Sequence, residues 1–322
     1  MVYLFFIATA VAAVLIATKC YYQFTMGNFS SSATMQGKTV IVTGANTGIG
    51  KATALDLAKR GAKVILACRD LRRAALAKDE ICKETGSENV EIMKIDLGSV
   101  QSVRNFAKEF LCKEEKLDVL VNNAAAVGMT HKISQDGMQH ELQINHFGPF
   151  LLTLLLLDVL KKSAPSRVIF VSSVAHKFGS IDFENLNCEK SFPGSRVHYS
   201  NAKLANVLTS NELARRLQGT GVTVNSVHPG LVNTEIARRM PSLMHKVYKA
   251  FIGFAFKSPE EGAKTVCYLA VSDEVNGLTG KYFADCKIAE MSDLAKDKEL
   301  AAKLWDKSVE LLQLQPDDIS IA

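Results

Sequence analysis

The stretch Thr43-Gly44-Ala45-Asn46-Thr47-Gly48-Ile49-Gly50 constrains this chain more than any other, because of what lies on either side of it. Before it comes Lys38-Thr39-Val40-Ile41-Val42, a β-branched run that reads as a buried strand. After it, Lys51 to Gly61 has apolar residues at helical spacing and a glycine where a helix would stop. A strand that turns on glycines directly into a helix lets the backbone come close to a pyrophosphate, and the free amides of the helix start offer it positive dipole. Glycines of a plain surface turn need no such context. Gly44, Asn46, Thr47, Gly48, Ile49 and Gly50 are therefore candidates for dinucleotide contact.

Further apolar runs at 63–67, 90–94, 117–121, 167–171 and 222–227 alternate with helical stretches. That alternation implies an α/β chain with a Rossmann-type, doubly wound parallel sheet and helices on both faces. No internal repeat at solenoid periods interrupts it. Phe150 to Leu160 is very apolar, but it is too short to span a bilayer, carries Asp158, and reads as a buried helix.

Tyr199 and Lys203 stand in Tyr-Ser-Asn-Ala-Lys. At i and i+4 of a helix they share a face, where an ammonium favours phenolate and pulls a phenol below its reference pKa of about 10. The spacing alone is common by chance. Downstream of a dinucleotide turn it points to proton transfer coupled to hydride chemistry on a nicotinamide cofactor.

With these motifs the chain resembles the short-chain dehydrogenase/reductase family, from about Gly37 to the C-terminal helix. Asn122-Asn123-Ala124 follows the strand 117–121 as in the family, with Ala125 where the family has glycine. The resemblance implies that Asn122 and Ala124 lie at the cofactor, that Asn145 holds a water in a proton relay, and that Ser173 bonds the substrate carbonyl. It implies that Pro229, Gly230, Val232 and Thr234 close over the nicotinamide, with Thr234 on the carboxamide. Singly, each has a plainer reading as a turn, strand-end or capping residue. Between Ser173 and Tyr199 the chain is longer than in compact members, so an inserted loop from His176 to His198 is expected beside the substrate cavity.

Cofactor choice is argued at the end of the second strand. NAD-binding relatives place a carboxylate there, whereas this chain has Cys68 followed by Arg69, which suits a ribose 2′-phosphate and favours NADP(H). Asp70 reads as the cap of a helix beginning at Leu71. Asp96 fits equally a place near the adenine and a helix cap.

Residues 1–18 carry no charged side chain, and as a helix they would extend about 27 Å, enough for a thin bilayer like that of the endoplasmic reticulum. A basic n-region typical of a signal peptide is missing, and Lys19 on the downstream side places the remainder in the cytosol. The expected organisation is a membrane anchor at 1–19, a polar, serine-rich linker at 20–36 and one NADP-binding catalytic domain at 37–322. Seven cysteines without Cys-x-x-Cys pairs read as free thiols, and the seven histidines form no metal motif. Glycosylation of Asn28, the sole Asn-x-Ser/Thr acceptor, would reverse that topology. The net charge of +5 is spread along the chain, which argues against a nucleic-acid partner. Oligomeric state stays open, and a homodimer is compatible with it.

From Ile236 to Lys257 the chain is apolar, aromatic and methionine-bearing, at the place where the family builds its substrate lid. A hydrophobic wall for a long apolar substrate, a membrane-contacting helix and plain core packing all fit. Subfamily resemblance to membrane-anchored retinol dehydrogenases rests on Leu66-Ala67-Cys68-Arg69-Asp70, Ser173-Val174-Ala175-His176, Glu212 to Leu217 and Gly280 to Cys286. It implies an NADPH-dependent retinal reductase, reversible to retinol oxidation, with Tyr199, Lys203, Ser173 and Asn145 as the catalytic set. A reductase of other lipid aldehydes or steroid ketones, or a dinucleotide-binding protein with little turnover, are the alternatives.

Overall fold

The computed structural model describes residues 2–27, 29–233, 256–315 and 318. Its strands are β1 (Thr39–Thr43), β2 (Lys63–Cys68), β3 (Val90–Lys94), β4 (Val119–Asn122), β5 (Ser166–Val171), β6 (Val222–His228), β7 (Tyr282–Ala284) and β8 (Lys287–Ile288). They form one sheet in the order β3-β2-β1-β4-β5-β6-β7-β8, parallel throughout except for the last pair. This is the Rossmann-like single α/β domain that the alternation implied. Asp118 sets the central register: its carboxylate accepts from Thr39 N–H at 2.9 Å and Lys38 Nζ at 2.8 Å, just ahead of the pairing of Val40 with Val119.

Helices cover both faces because every residue of β1 is buried and must be packed from either side. One face holds α2 (Gly48–Lys59), α3 (Leu71–Thr85) and α9 (Pro259–Val271), which bring Leu57, Ile81 and Val266 onto Val40, Val42 and Leu66. On the other lie α4 (Val100–Lys113), α6 (Gly148–Leu155), α7 (Leu157–Lys162), α8 (Ser195–Arg216) and α11 (Lys298–Leu311), with Phe106, Phe110, Phe150 and Trp305 in their shared core. Before α6 come a short α5 (His140–Leu142) and a π-helical turn, Gln143–Phe147; α10 (Asp293–Lys296) precedes α11. The apolar run from Phe150 is a buried helical segment, as expected, broken into α6 and α7 at Leu156. Caps set the helix starts: Asp70 accepts from Arg72 and Arg73 N–H at 3.1 Å, and Ser258 with Glu261 forms a capping box.

The sequence did not show β7 and β8. They are three and two residues long, too short for a period-2 pattern, and they are joined through Asp285 and Cys286 in the left-handed region, at φ 51 and 58.

At the N-terminus α1 (Val2–Thr25) runs past the 1–19 boundary, since no glycine or proline stops it before Gly27. Several of its side chains, among them Leu4, Phe5 and Ile7, and the whole of Asn28 lie outside the described residues. Among the described residues no helix is long and apolar enough to cross a membrane. The serine-rich stretch after it is fastened down rather than loose. Arg60 Nη1 donates to the carbonyls of Ser31 at 2.7 Å and Ala33 at 3.1 Å, its guanidinium covers the Phe29 ring at 5.7 Å, and Phe29 packs edge-on against Tyr268. Composition marks such a segment as polar but cannot show that a distant arginine will grip its backbone.

Among the described residues burial lowers the pKa of His176, of His146 to about 3, and of His198 and His228 to about 4. In the unfolded chain they titrate near 6.5, so below that pH the unfolded state binds more protons and stability falls as pH drops toward the folded values. Thermal unfolding is expected to move to lower temperature between pH 6.5 and pH 4, and scans across that window check it.

Candidate active site

A cavity of about 480 Å³ opens at the carboxyl ends of the central strands, where the sheet order reverses between β1 and β4. The glycine turn makes one wall, with Gly44, Asn46, Thr47, Gly48, Ile49 and Gly50 all lining it. Gly44 and Gly48 have φ of +66 and +54, which side chains rarely adopt. At Gly50 a Cβ would stand 2.5 Å from both Asn123 Nδ2 and the Gly44 carbonyl oxygen, so only hydrogen fits. Thr43 ties this turn to the end of β4: its Oγ1 accepts from Asn123 N–H at 2.9 Å and Ala124 N–H at 3.0 Å, while Asn123 Nδ2 donates to the Thr43 carbonyl at 2.8 Å. Asn123, Ala124 and Ala125 thereby line the cavity. Asn122 does not: it is buried, and its Nδ2 donates to Thr153 Oγ1 at 2.9 Å in α6.

The far end of this wall carries charges of both signs. Arg69 and Arg73 both line it, with Asp70 and Asp96 beside them. The Cys68 thiol instead turns inward under the glycine turn, bonded by the backbone of Ala45 and Asn46, and burial pushes its pKa up to about 11. Arg73, one turn inside α3, gave no signal in the sequence because nothing local fixes where a helical arginine points. Asp96 does not cap α4, a role taken by Ser99; its Oδ1 accepts from Gly98 N–H at 3.0 Å and shapes the turn between them.

At the other end stand Tyr199 and Lys203, on α8, with Ser172 and Pro229. Lys203 is fully enclosed: Nζ donates to the Val171 carbonyl at 2.8 Å and lies 5.4 Å from the centre of the Tyr199 ring. Ser172 Oγ donates to the Lys203 carbonyl at 2.8 Å, so the end of β5 holds α8 at this turn. Ser173 Oγ accepts from Ala175 N–H at 3.2 Å, and the Ser173 side chain stands where it favours the Tyr199 phenolate. Its own carbonyl accepts from His176 Nδ1 at 2.8 Å, and His176 Nε2 accepts from Ser292 N–H at 3.2 Å, which fixes a neutral ring behind the serine. That histidine was legible only as part of a motif.

Sequence spacing implied that Lys203 pulls the tyrosine down. Here burial dominates and pushes Tyr199 up to about 12, aided by Glu141 and opposed by the Ser173 side chain. Burial also lowers Lys203 to about 8. Removing water disfavours phenolate and ammonium alike, and the ammonium spends its hydrogen bond on a backbone carbonyl rather than on the phenol.

Asn145 lies in the π-helical turn, and its carboxamide embraces Ala126: Oδ1 accepts from the amide and Nδ2 donates to the carbonyl, both at 2.8 Å. It supports the cavity wall without lining it. Gly230 (φ +92) closes over Lys257, whose buried ammonium pairs with Asp285. Val232 bridges to Lys257, so residues 231–233 and 257 are held together there. Thr234 lies outside the described residues, as does the apolar stretch from Ile236 up to residue 255. Among the described residues no cluster suits a metal ion, and all seven cysteines are free.

These residues fit a dinucleotide. Thr47 caps α2 without a side-chain hydrogen bond, so the helix-start amides are left to an anion, and Gly50 keeps the backbone open to it.

A family model described as short chain dehydrogenase matches residues 38–243. Mouse retinol dehydrogenase 13 is 47% identical over 296 residues, covering 89% of this chain and 87% of that protein. Human retinol dehydrogenase 11 is 46% identical over 291 residues, covering 90% and 91%. Among solved structures, an uncharacterized protein from Mycobacterium paratuberculosis superposes with a TM-score of 0.72 at 31% identity, covering 89% of this chain and 99% of that one. The Pseudomonas aeruginosa RhlG/NADP active-site complex does so with a TM-score of 0.63 at 25% identity, covering 79% and 97%.

Replacing Gly50 by alanine is expected to cost about 1–3 kcal/mol of stability through overpacking against Asn123 and Gly44, read as a fall in thermal midpoint relative to wild type.

Proposed function

The chain belongs to the short-chain dehydrogenase family and is an oxidoreductase of an alcohol/carbonyl pair, and from that premise we propose that it interconverts retinal and retinol with NADP(H), reduction favoured. The substrate reading draws on the retinol dehydrogenases among its relatives. The observation that carries the chemistry is Tyr199 lining the cavity with the buried Lys203 ammonium 5.4 Å from its ring.

In this reading the glycine turn and the start of α2 hold the pyrophosphate, and Arg69 with Arg73 grips the ribose 2′-phosphate. Asp96 and Ala124 flank the adenine half, with Asn122 behind them as a strut. Pro229, Gly230, Val232 and Thr234 close the nicotinamide end. NADP(H), when bound, supplies or accepts the hydride. Ser173 bonds the carbonyl oxygen and polarises it, and Tyr199 gives that oxygen its phenolic proton. Lys203 contacts the nicotinamide ribose and, through water held at Asn145, returns a proton to the tyrosine. A phenol pushed up to about 12 is protonated at neutral pH, which is the form that reduction needs.

α1 serves as the membrane anchor in the same proposal, with the catalytic domain on the cytosolic face of the endoplasmic reticulum. Its 24 residues extend about 36 Å, and residues 1–18 carry no charge. The protein is expected to resist alkaline carbonate extraction from microsomes, with its C-terminal part cut by added protease; release into the wash would remove the anchor.

The functional test is NADPH oxidation by detergent-purified protein with all-trans-retinal, a steroid ketone and a medium-chain aldehyde. Retinal turnover is expected with NADPH in preference to NADH. Tyr199→Phe is expected to lower kcat by about a thousandfold or more while dinucleotide binding by calorimetry stays within a fewfold of wild type. Activity confined to the other carbonyls would move the substrate and keep the chemistry, and dinucleotide binding without turnover would make the chain a binding protein.

A further inference from the structure

Lys257 brings an ammonium into the protein that the chemistry above does not use. Its side chain is 3% exposed and pairs with the Asp285 carboxylate. It lies directly beneath Gly230, which has φ +92: a Cβ there would stand 2.7 Å from Lys257 Cδ and 2.8 Å from its Nζ. The backbone clasps the same lysine, for Lys257 N–H donates to the Leu231 carbonyl and Asn233 N–H to the Lys257 carbonyl, both at 2.9 Å. Residues 229–233 thus form a strap over Lys257, and the first of them, Pro229, lines the cavity together with Tyr199 and Lys203.

The strap is held at both ends. Ahead of it, His228 Nδ1 accepts from Val174 N–H at 3.2 Å, next to Ser173. Further along, Val232 reaches the first turn of α9, where a Cβ on Gly262 would stand 2.6 Å from Val232 Cγ2 and 3.3 Å from Ile49 Cγ1. Ile49 belongs to the glycine turn and lines the cavity, so strap and turn meet α9 at one point. The counter-ion is fixed by its backbone. Asp285 and Cys286 sit at φ 51 and 58, a region that side chains rarely enter and aspartate tolerates better than most. Cys286 N–H donates to Thr265 Oγ1 at 3.2 Å, which pins this turn to α9. Burying an ammonium is costly, and an apolar side chain of similar length would fill the space under Gly230 without that cost. What the ion pair adds is a fixed place for the lysine head, and with it for the strap that lies on the lysine stem.

We propose that Lys257 is a positioning residue for the cofactor: paired with Asp285 beneath Gly230, it holds the 229–233 strap where the nicotinamide half of the dinucleotide docks. This rests on the reading that Pro229 and Gly230 close the nicotinamide end. A strap that is in place only part of the time lowers apparent affinity by that fraction, and only for ligands that touch it. NADPH reaches the strap. Adenosine 2′,5′-bisphosphate, which has the adenosine and its 2′-phosphate but no nicotinamide, does not.

The test measures binding of both ligands by calorimetry, with thermal midpoints and steady-state kinetics, on full-length protein in detergent: wild type, Lys257→Met, Asp285→Asn and the double variant. Methionine keeps an unbranched stem under Gly230, and asparagine suits a left-handed turn. Lys257→Met is expected to weaken NADPH by on the order of tenfold while the bisphosphate stays within about twofold of wild type. KM for NADPH rises with the first of these, and kcat falls by less. Asp285→Asn shows the same selective loss, and the double variant is no worse than the more affected single one, because each change removes the same pair. If Lys257→Met does not fold, Asp285→Asn decides by the same comparison. Unchanged NADPH affinity, or equal weakening of NADPH and the bisphosphate, would overturn the inference and leave Lys257 a strut of the fold. A wild type that binds NADPH yet reduces no carbonyl sinks the retinal reading alone, and the two affinities, measured without turnover, still decide the role of Lys257.

Discussion

The contact on which the site depends is the packing of the glycine turn against the end of β4. Thr43 and Asn123 exchange side-chain and backbone hydrogen bonds across two parallel strands, and Gly50 leaves no room for a Cβ between them. That closeness aims the start of α2 at the gap where the sheet order reverses, and the gap is the cavity. Asp118 fixes the register of the same two strands from their other end.

Burial sets the chemistry of the opposite wall. Tyr199 and Lys203 are placed so that loss of water acts on both: the phenol rises to about 12 and the ammonium falls to about 8. The familiar argument from spacing counts only the attraction of a cation for a phenolate. In this fold the cation is bonded to the Val171 carbonyl, and desolvation outweighs it.

Long-range ties hold the edges of the site. Lys257, buried and paired with Asp285, is held against residues 231–233 under Gly230. Arg60 and Phe29 bind the stretch after α1 to the domain, so the helix emerges from a fixed place beside the turn between β7 and β8, where a Cβ on Gly27 would overlap the Asp285 carbonyl.

Local patterns determined the sheet, the glycine turn and the helical face shared by Tyr199 and Lys203, because each depends on residues adjacent in the chain or one helical turn apart. The same locality let Asp70 be read as a cap. Tertiary structure decided what distance in sequence hides: Arg73 joining Arg69, Asn123 rather than Asn122 on the cavity wall, His176 behind Ser173 and the short strands after residue 280. It also decided the state of the phenol, since residue types in order reveal which groups can titrate, while burial sets the direction in which they shift.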